Sequence, residues 1–361
     1  MAKVKKLGVV LLVVAVGMAL GACEFLEEDE IRDIIEDEEE SIDVGVVFSV
    51  GGLGDYSFND MAYGGLLRAA KDMNVEYEYI EPGDVEDFKP ELQNFAEKDY
   101  DLVLAIGYLQ EEAVKSVSQD NPDTDFAHID VTYDSPPENV KAIEFAEDEG
   151  SFLAGSLAGY ATETDKVGFI GGVDVPLINS FEEGFEQGAE YVNNEVEVYI
   201  DYVGDFRDIE KGEEIAEEFI EEKEADIIYH AAGGAGEGLF TAVEESEEAY
   251  AIGVDTNQNW IAPGNIIASM VKRVDEAVYN TIEDVVEGDF SGGEIQEYGL
   301  NEQSVGLTPL EAEVEEFIEP KLDVDEATAI KSMKEEMTAP HADDVENIKQ
   351  DIIAGEIEIT D

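Results

Sequence analysis

The run Val46-Val47-Phe48-Ser49-Val50, followed by Gly51-Gly52-Leu53-Gly54-Asp55-Tyr56-Ser57-Phe58-Asn59-Asp60, predicts a strand, a glycine loop and a helix in immediate succession. An apolar, β-branched run that stops at paired glycines suits a buried parallel strand entering a tight turn. From Phe58 onward, Met61, Ala62, Gly65, Leu66, Ala69, Ala70 and Met73 fall on one face of a helix. Ser57, three residues before Asp60, fits a capping box that starts this helix near Phe58. In an open α/β sheet, ligands sit where strands end at their carboxyl side. Asp55, Phe58 and Asn59 therefore become candidate contacts: a charged acceptor, an aromatic face and an amide. The loop lacks the Gly-Lys-Ser/Thr of a phosphate loop and the G-x-G-x-x-G of a dinucleotide fingerprint.

The same alternation runs on. Val75–Ile80 predicts a strand, Val85–Lys98 a helix, Leu102–Ile106 a strand ending at Gly107-Tyr108, and Glu111–Ser118 a helix. Phe126–Ile129 is a strand ending at Asp130, Val140–Phe145 another, and Ser151–Ala161 a helix of small residues. The plan then restarts: Lys166–Ile170 leads into Gly171-Gly172, and Ile178–Val192 forms a helix with Phe181, Gly184, Phe185 and Gly188 on one face. Later strand ends carry Asp205-Phe206, Gly233-Gly234 and Asp255, and Lys272-Arg273-Val274-Asp275 opens a helix reaching about Glu287. Two successive copies of one βα plan predict an α/β protein of two lobes, each a doubly wound parallel sheet with helices on both faces, with a cleft between. Residues 43–145 with about 265–295 make the first lobe. Residues 146–264 with part of 296–361 make the second.

The amino terminus predicts an address. Lys3, Lys5 and Lys6 precede an apolar run from Leu7 to Leu20, and Leu20-Gly21-Ala22-Cys23 closes with small residues before a cysteine. Residues 1–22 resemble a lipoprotein signal, with Cys23 lipidated, so the chain is expected at the cell membrane, anchored on its extracytoplasmic face. Cys23 is the only cysteine, which excludes disulfides and cysteine-based zinc sites from the rest of the chain. Residues 23–42, mostly Glu and Asp, form a self-repelling tether.

Ninety Asp and Glu oppose 20 Lys and Arg, a net charge of −70, yet 44% apolar residues and clear periodicities argue for a folded chain. Such a surface suits a salt-rich medium, where the screening length shrinks to about 3 Å at 1 M. It also excludes nucleic acid as a partner, since no basic stripe exists to release counterions. Catalytic pairings are missing: no Gly-x-Ser-x-Gly elbow and no H-E-x-x-H appear, and His128 reads as a core histidine. Asp255-Thr256-Asn257-Gln258-Asn259 starts like a calcium loop, but Trp260 and Ile266 stand where glycine and glutamate are needed.

Several blocks together resemble the basic membrane protein family, the nucleoside-binding lipoproteins of ABC importers, which are similar to two-lobed type I periplasmic binding proteins. They are Gly51-Gly52-Leu53-Gly54-Asp55 with Ser57-Phe58-Asn59, Ser151-Phe152-Leu153-Ala154-Gly155, Val167-Gly168-Phe169-Ile170-Gly171-Gly172, Phe181 with Gly184-Phe185, Ile228 to Gly234, Ile252-Gly253-Val254-Asp255 and Ser269 to Asp275. The resemblance implies that Phe58 and Phe206 sandwich a purine, that Asn59 and Asp130 bond its edge, and that Asp255, Asp55 and Lys272 address the ribose, with Gly233 and Gly234 admitting close backbone. It implies an ABC permease and ATPase as partners, a monomer, no cofactor, no metal and no catalysis. Asn257 stands where the family usually has a second Asp, and 308–346 contains no recognisable block. A sensor, a nucleoside hydrolase and a receptor for sugars or other small polar solutes remain open as alternatives.

Overall fold

The computed structural model describes residues 41–246, 248–316 and 318–360. The signal segment, Cys23 and all but the last two residues of the acidic tether lie outside the described residues. The first strand starts at Ile42, which already pairs with Val75, so the tether ends one residue earlier than expected.

In chain order the elements are β1 (Ile42–Val47), α1 (Phe58–Asp72), β2 (Val75–Ile80), α2 (Phe88–Ala96), β3 (Leu102–Ile106), α3 (Glu111–Asp120), β4 (Asp125–Ile129), β5 (Val140–Phe145), α4 (Glu147–Ala161), β6 (Lys166–Gly171), α5 (Pro176–Val192), β7 (Glu197–Tyr202), α6 (Ile209–Glu221), β8 (Ile227–Ala231), α7 (Glu237–Glu245), β9 (Tyr250–Asp255), β10 (Ile266–Lys272), α8 (Val274–Glu287), β11 (Ile295–Tyr298), β12 (Val305–Leu307), α9 (Val324–Met337) and α10 (Ala342–Ile353). They build two six-stranded sheets, ordered β11-β5-β4-β3-β1-β2 and β12-β10-β9-β8-β6-β7. Every pairing is parallel except β12 on β10. The two orders are the same plan written twice, as the restart at Lys166 predicts.

Strand patterning explains the layers. In the first sheet, Val44, Val46 and Leu104 are buried with Leu66 and Ala69 of α1, while Val47, Val103 and Ala105 pack with Leu92 and Phe95 of α2 and Val114 of α3 on the opposite face. Each such buried aliphatic contributes about 1.5–3 kcal/mol relative to exposure. Helices α4 and α5 pack tightly along their lengths, and small residues permit it. A Cβ added at Gly155 would lie 2.0 Å from the Phe185 carbonyl oxygen, and one at Gly188 would lie 2.0 Å from that of Phe152.

One strand departs from expectation. β10, placed by sequence in the first lobe, pairs with β9 in the second sheet, and the chain crosses back only at Arg273, after which α8 packs on α1. Of the stretch 296–361, only part of which is expected in the second lobe, residues 296–298 belong to β11 beside β5 in the first. An alternating βα pattern fixes that a strand is parallel and buried but carries no information on which of two equivalent sheets receives it. The chain thus passes between lobes three times, after β5, after β10 and after β11. In each sheet the strand order reverses beside the first strand of its set, β1/β3 and β6/β8, and the loops leaving those strands open toward the other lobe.

Candidate functional site

The loop after β1 is organised by a carboxylate. Asp55 is buried and accepts the backbone N–H groups of Ser57 at 3.0 Å, Asn59 at 2.9 Å and Asp60 at 3.2 Å, together with Asn59 Nδ2 at 3.0 Å. It therefore caps α1. Ser57, expected to do so, makes no side-chain cap bond and instead donates its hydroxyl to Asp255 in the other lobe. Asp60 turns back to the loop, accepting from Gly54 and Tyr56 N–H. Asn59 accepts from Ser49 N–H at 3.0 Å, which ties helix to strand.

Asp130 and Asp255 stand at equivalent places, the carboxyl ends of β4 and β9, and both have positive φ, +69° and +65°. A left-handed conformation is uncommon outside glycine and clusters at functional sites, with Asp among the residues that tolerate it. Between them lies Lys272, the last residue of β10 and only 1% exposed. Its ammonium contacts Asp130 across the lobes and Glu147 Oε1 at 2.8 Å. Three rings surround it, with centroids 5.0 Å (Phe145), 5.1 Å (Phe181) and 5.7 Å (Phe58) from Nζ, within cation–π range.

Burial raises Glu147 to about 8 against the pull of Lys272, and raises Asp255 to about 6 against Lys272 and the Ser57 hydroxyl. Burial alone would lower Lys272; Asp130, Glu147 and Asp255 more than offset it and hold its pKa above the ordinary lysine value. The upward shifts of both the cation and its acids are compatible. One ammonium cannot neutralise three carboxylates, so it keeps its charge and an acid takes a proton.

Asp55, Phe58, Asp130, Phe181, Asp255 and Lys272 line a cavity of about 220 Å³ between the lobes, larger than the roughly 150 Å³ that accommodates a benzene ring; Glu147 holds Lys272 from outside that lining. All nine ligand-contact residues predicted from sequence, Asp55, Phe58, Asn59, Asp130, Phe206, Gly233, Gly234, Asp255 and Lys272, are in its wall. Phe58 comes from the first lobe and Phe206 from the second. The Phe206 ring is seated against two glycines: a Cβ at Gly172 would lie 2.3 Å from it and one at Gly233 3.6 Å. Sequence reasoning misses Glu147, because the pattern starts the helix at Ser151 whereas α4 begins two residues after the strand end, and it leaves Tyr108, Phe181, Arg207 and Glu237 unassigned to the wall. Beyond the cavity the lobes are joined by Gln258 Nε2 donating to the Tyr56 carbonyl at 3.1 Å, by Arg207 Nη1 donating to the Gly83 carbonyl at 2.9 Å, and by the edge-to-face pair Tyr56–Trp260 at 5.2 Å. Among the described residues no set of His, Cys, Asp and Glu is grouped to hold a metal ion, and no helix is long and apolar enough to cross a membrane.

Comparison with known proteins follows the same lines. The family model for PnrA-like ABC transporter substrate-binding proteins, Bmp, matches residues 42–341. A CD4+ T-cell-stimulating antigen of Listeria monocytogenes is 35% identical over 82% of this chain and 88% of its own length. An uncharacterised lipoprotein of Pyrococcus abyssi is 36% identical over 89% and 84%, and basic membrane protein A of Borreliella burgdorferi 33% over 71% and 76%. Among solved structures, an ABC transporter system solute-binding protein of Aeropyrum pernix superposes with a TM-score of 0.81 at 33% identity, covering 88% of this chain and 92% of that one. A second, from Conexibacter woesei, shares the fold at a TM-score of 0.66 and 21% identity, covering 89% and 99%.

Proposed function

The chain belongs to the Bmp family of PnrA-like ABC transporter substrate-binding proteins, and we propose that it is the nucleoside receptor of an importer, holding a purine nucleoside between its lobes for delivery to the permease. The observation that carries this is the wall of one cavity: a ring from each lobe, Phe58 and Phe206, beside carboxylates and a lysine buried at strand ends. Stacking of a base on an aromatic ring is worth about 1–3 kcal/mol. Hydrogen bonds to charged acceptors add about 1.5–3 kcal/mol each. Two stacks and two or three such bonds offset the ordering costs and reach micromolar affinity, about −8 kcal/mol. A neutral solute also suits a receptor with a net charge of −70, which repels anionic nucleotides.

A ligand touching both lobes favours the form in which Ser57 meets Asp255 and Asp130 meets Lys272, and that closed form is what the permease recognises. In this reading Cys23 carries the lipid, the acidic segment after it spaces a monomeric binding domain from the extracytoplasmic face of the membrane, and no chemistry is done on the solute.

The test is calorimetric titration of the full chain in detergent and molar salt with adenosine, guanosine, inosine, uridine and cytidine, with ribose as control, after unfolding and refolding. Saturable binding of a purine nucleoside, weakened by Phe58→Ala or Asp255→Ala, is the expected result. Folded protein that binds no nucleoside, or binds ribose equally well, overturns the proposal.

A further inference from the structure

The carboxylates in the cavity wall are not equivalent as acceptors. Asp55 already receives four N–H donors, about all the lone-pair sites a carboxylate offers. Asp130 is engaged by Lys272, and Asp255 by the Ser57 hydroxyl. Glu237 is different. Its side chain is half-buried in the wall, and among the described residues its carboxylate takes part in no hydrogen bond or ion pair.

Its place in the cavity is fixed by its neighbours. Glu237 begins α7 three residues after Gly234, a Cβ at Gly234 would lie 3.8 Å from the Asp55 Cβ, and both Gly233 and Gly234 abut Phe206. Burial, and after it the like charge of Asp55, disfavours the ionised form of Glu237. A ring stacked on Phe206 shares the cavity with an uncommitted pair of carboxylate oxygens and with a second, saturated carboxylate. That end of the cavity accepts hydrogen bonds and repels lone pairs.

Resting on the nucleoside reading above, we propose that Glu237 is a specificity-determining residue that takes the paired N–H donors of a guanine edge, so that the receptor prefers guanosine. Guanine presents its ring N–H and its exocyclic amine side by side, a spacing that matches the two oxygens of one carboxylate. Hypoxanthine keeps only the ring N–H. Adenine and cytosine set a ring lone pair beside the amine, which turns an acceptor toward an acceptor. A site built around a hydrogen-bonding group discriminates strongly against an analogue lacking its partner.

The experiment is calorimetry on the full chain with guanosine, inosine and adenosine, for wild type and for Glu237→Gln, an isosteric change at a half-exposed helix start. Wild type is expected to bind guanosine at least about tenfold more tightly than inosine, one charge-assisted hydrogen bond apart. Glu237→Gln is expected to close that gap by weakening guanosine far more than inosine. Equal guanosine and inosine affinities in wild type, or a gap that survives Glu237→Gln, overturn the role of Glu237 while leaving a nucleoside receptor standing. No binding of any nucleoside by folded protein overturns both.

Discussion

Replacing Glu147 by glutamine should remove a pH dependence that the buried cluster imposes on stability. Asp130, Glu147, Asp255 and Lys272 are all more than nine-tenths withdrawn from water, and one cation serves three acids. Glu147 ordinarily titrates near 4.5 and is raised to about 8 by burial, opposed by Lys272. Folded protein therefore holds this proton more tightly than unfolded chain. The stability it contributes is complete below about pH 4.5 and is lost as pH rises through 8. One such group changes stability by at most about 1.4 kcal/mol per pH unit, hence up to about 4 kcal/mol between pH 5 and 8. With an unfolding entropy of about 2.1 cal/mol/K per residue over roughly 300 ordered residues, that is about 6 °C in Tm. Thermal melts of wild type and Glu147→Gln in molar salt across this range give the comparison, since the carboxylates away from the Lys272 cluster cancel in the difference. The Tm of the variant relative to wild type should rise with pH by up to that amount. A difference that stays constant from pH 5 to 8 would mean that Glu147 is ionised throughout, and the reasoning fails.

Two further perturbations probe the packing and the surface. Gly188→Ala puts a methyl 2.0 Å from the Phe152 carbonyl oxygen and must push α5 away from α4; it should lower the urea midpoint by the equivalent of about 1–3 kcal/mol, and an unchanged midpoint would show that the two helices slide freely. The charge of −70 should make Tm climb steeply between 0.1 M and molar KCl, and a flat response would assign the acidic surface to something other than a saline medium.

Much of the scaffold can be read directly from the chain. β2, β3 and β5 occupy the predicted residues, because a buried parallel strand is written as an apolar run and an edge strand as an alternation, both local signals. The rule that ligands gather at strand carboxyl ends was enough to put Asp130, Phe206 and Asp255 in the cavity wall. What local pattern cannot supply is a partner. Ser57 has the spacing of a helix cap, but its hydroxyl bonds a carboxylate 198 residues away, and Asp55 takes over the cap. Glu147 is an acid in the first turn of a helix in a chain with 90 acids, so nothing local marks it as the one buried against Lys272. Lys272 itself, followed by Arg273, reads as the start of a helix; pairing with β9 as far as Val271 and with β12 at Lys272 itself carries the strand further and takes the ammonium inside.

The three passages between lobes also bear on how the chain is made. The first sheet lacks an edge until β11 is synthesised, and the second lacks one until β12, so residues 295–307 complete both. Neither lobe is a contiguous fragment, and a ribosome or a secretion channel releasing this chain from its amino terminus delivers two unfinished halves almost to the end. A stop near residue 290 would leave an open strand edge in each half at once, and such edges recruit other chains. The architecture that lets a solute be gripped from two sides ties the maturation of both sides to one late stretch of thirteen residues.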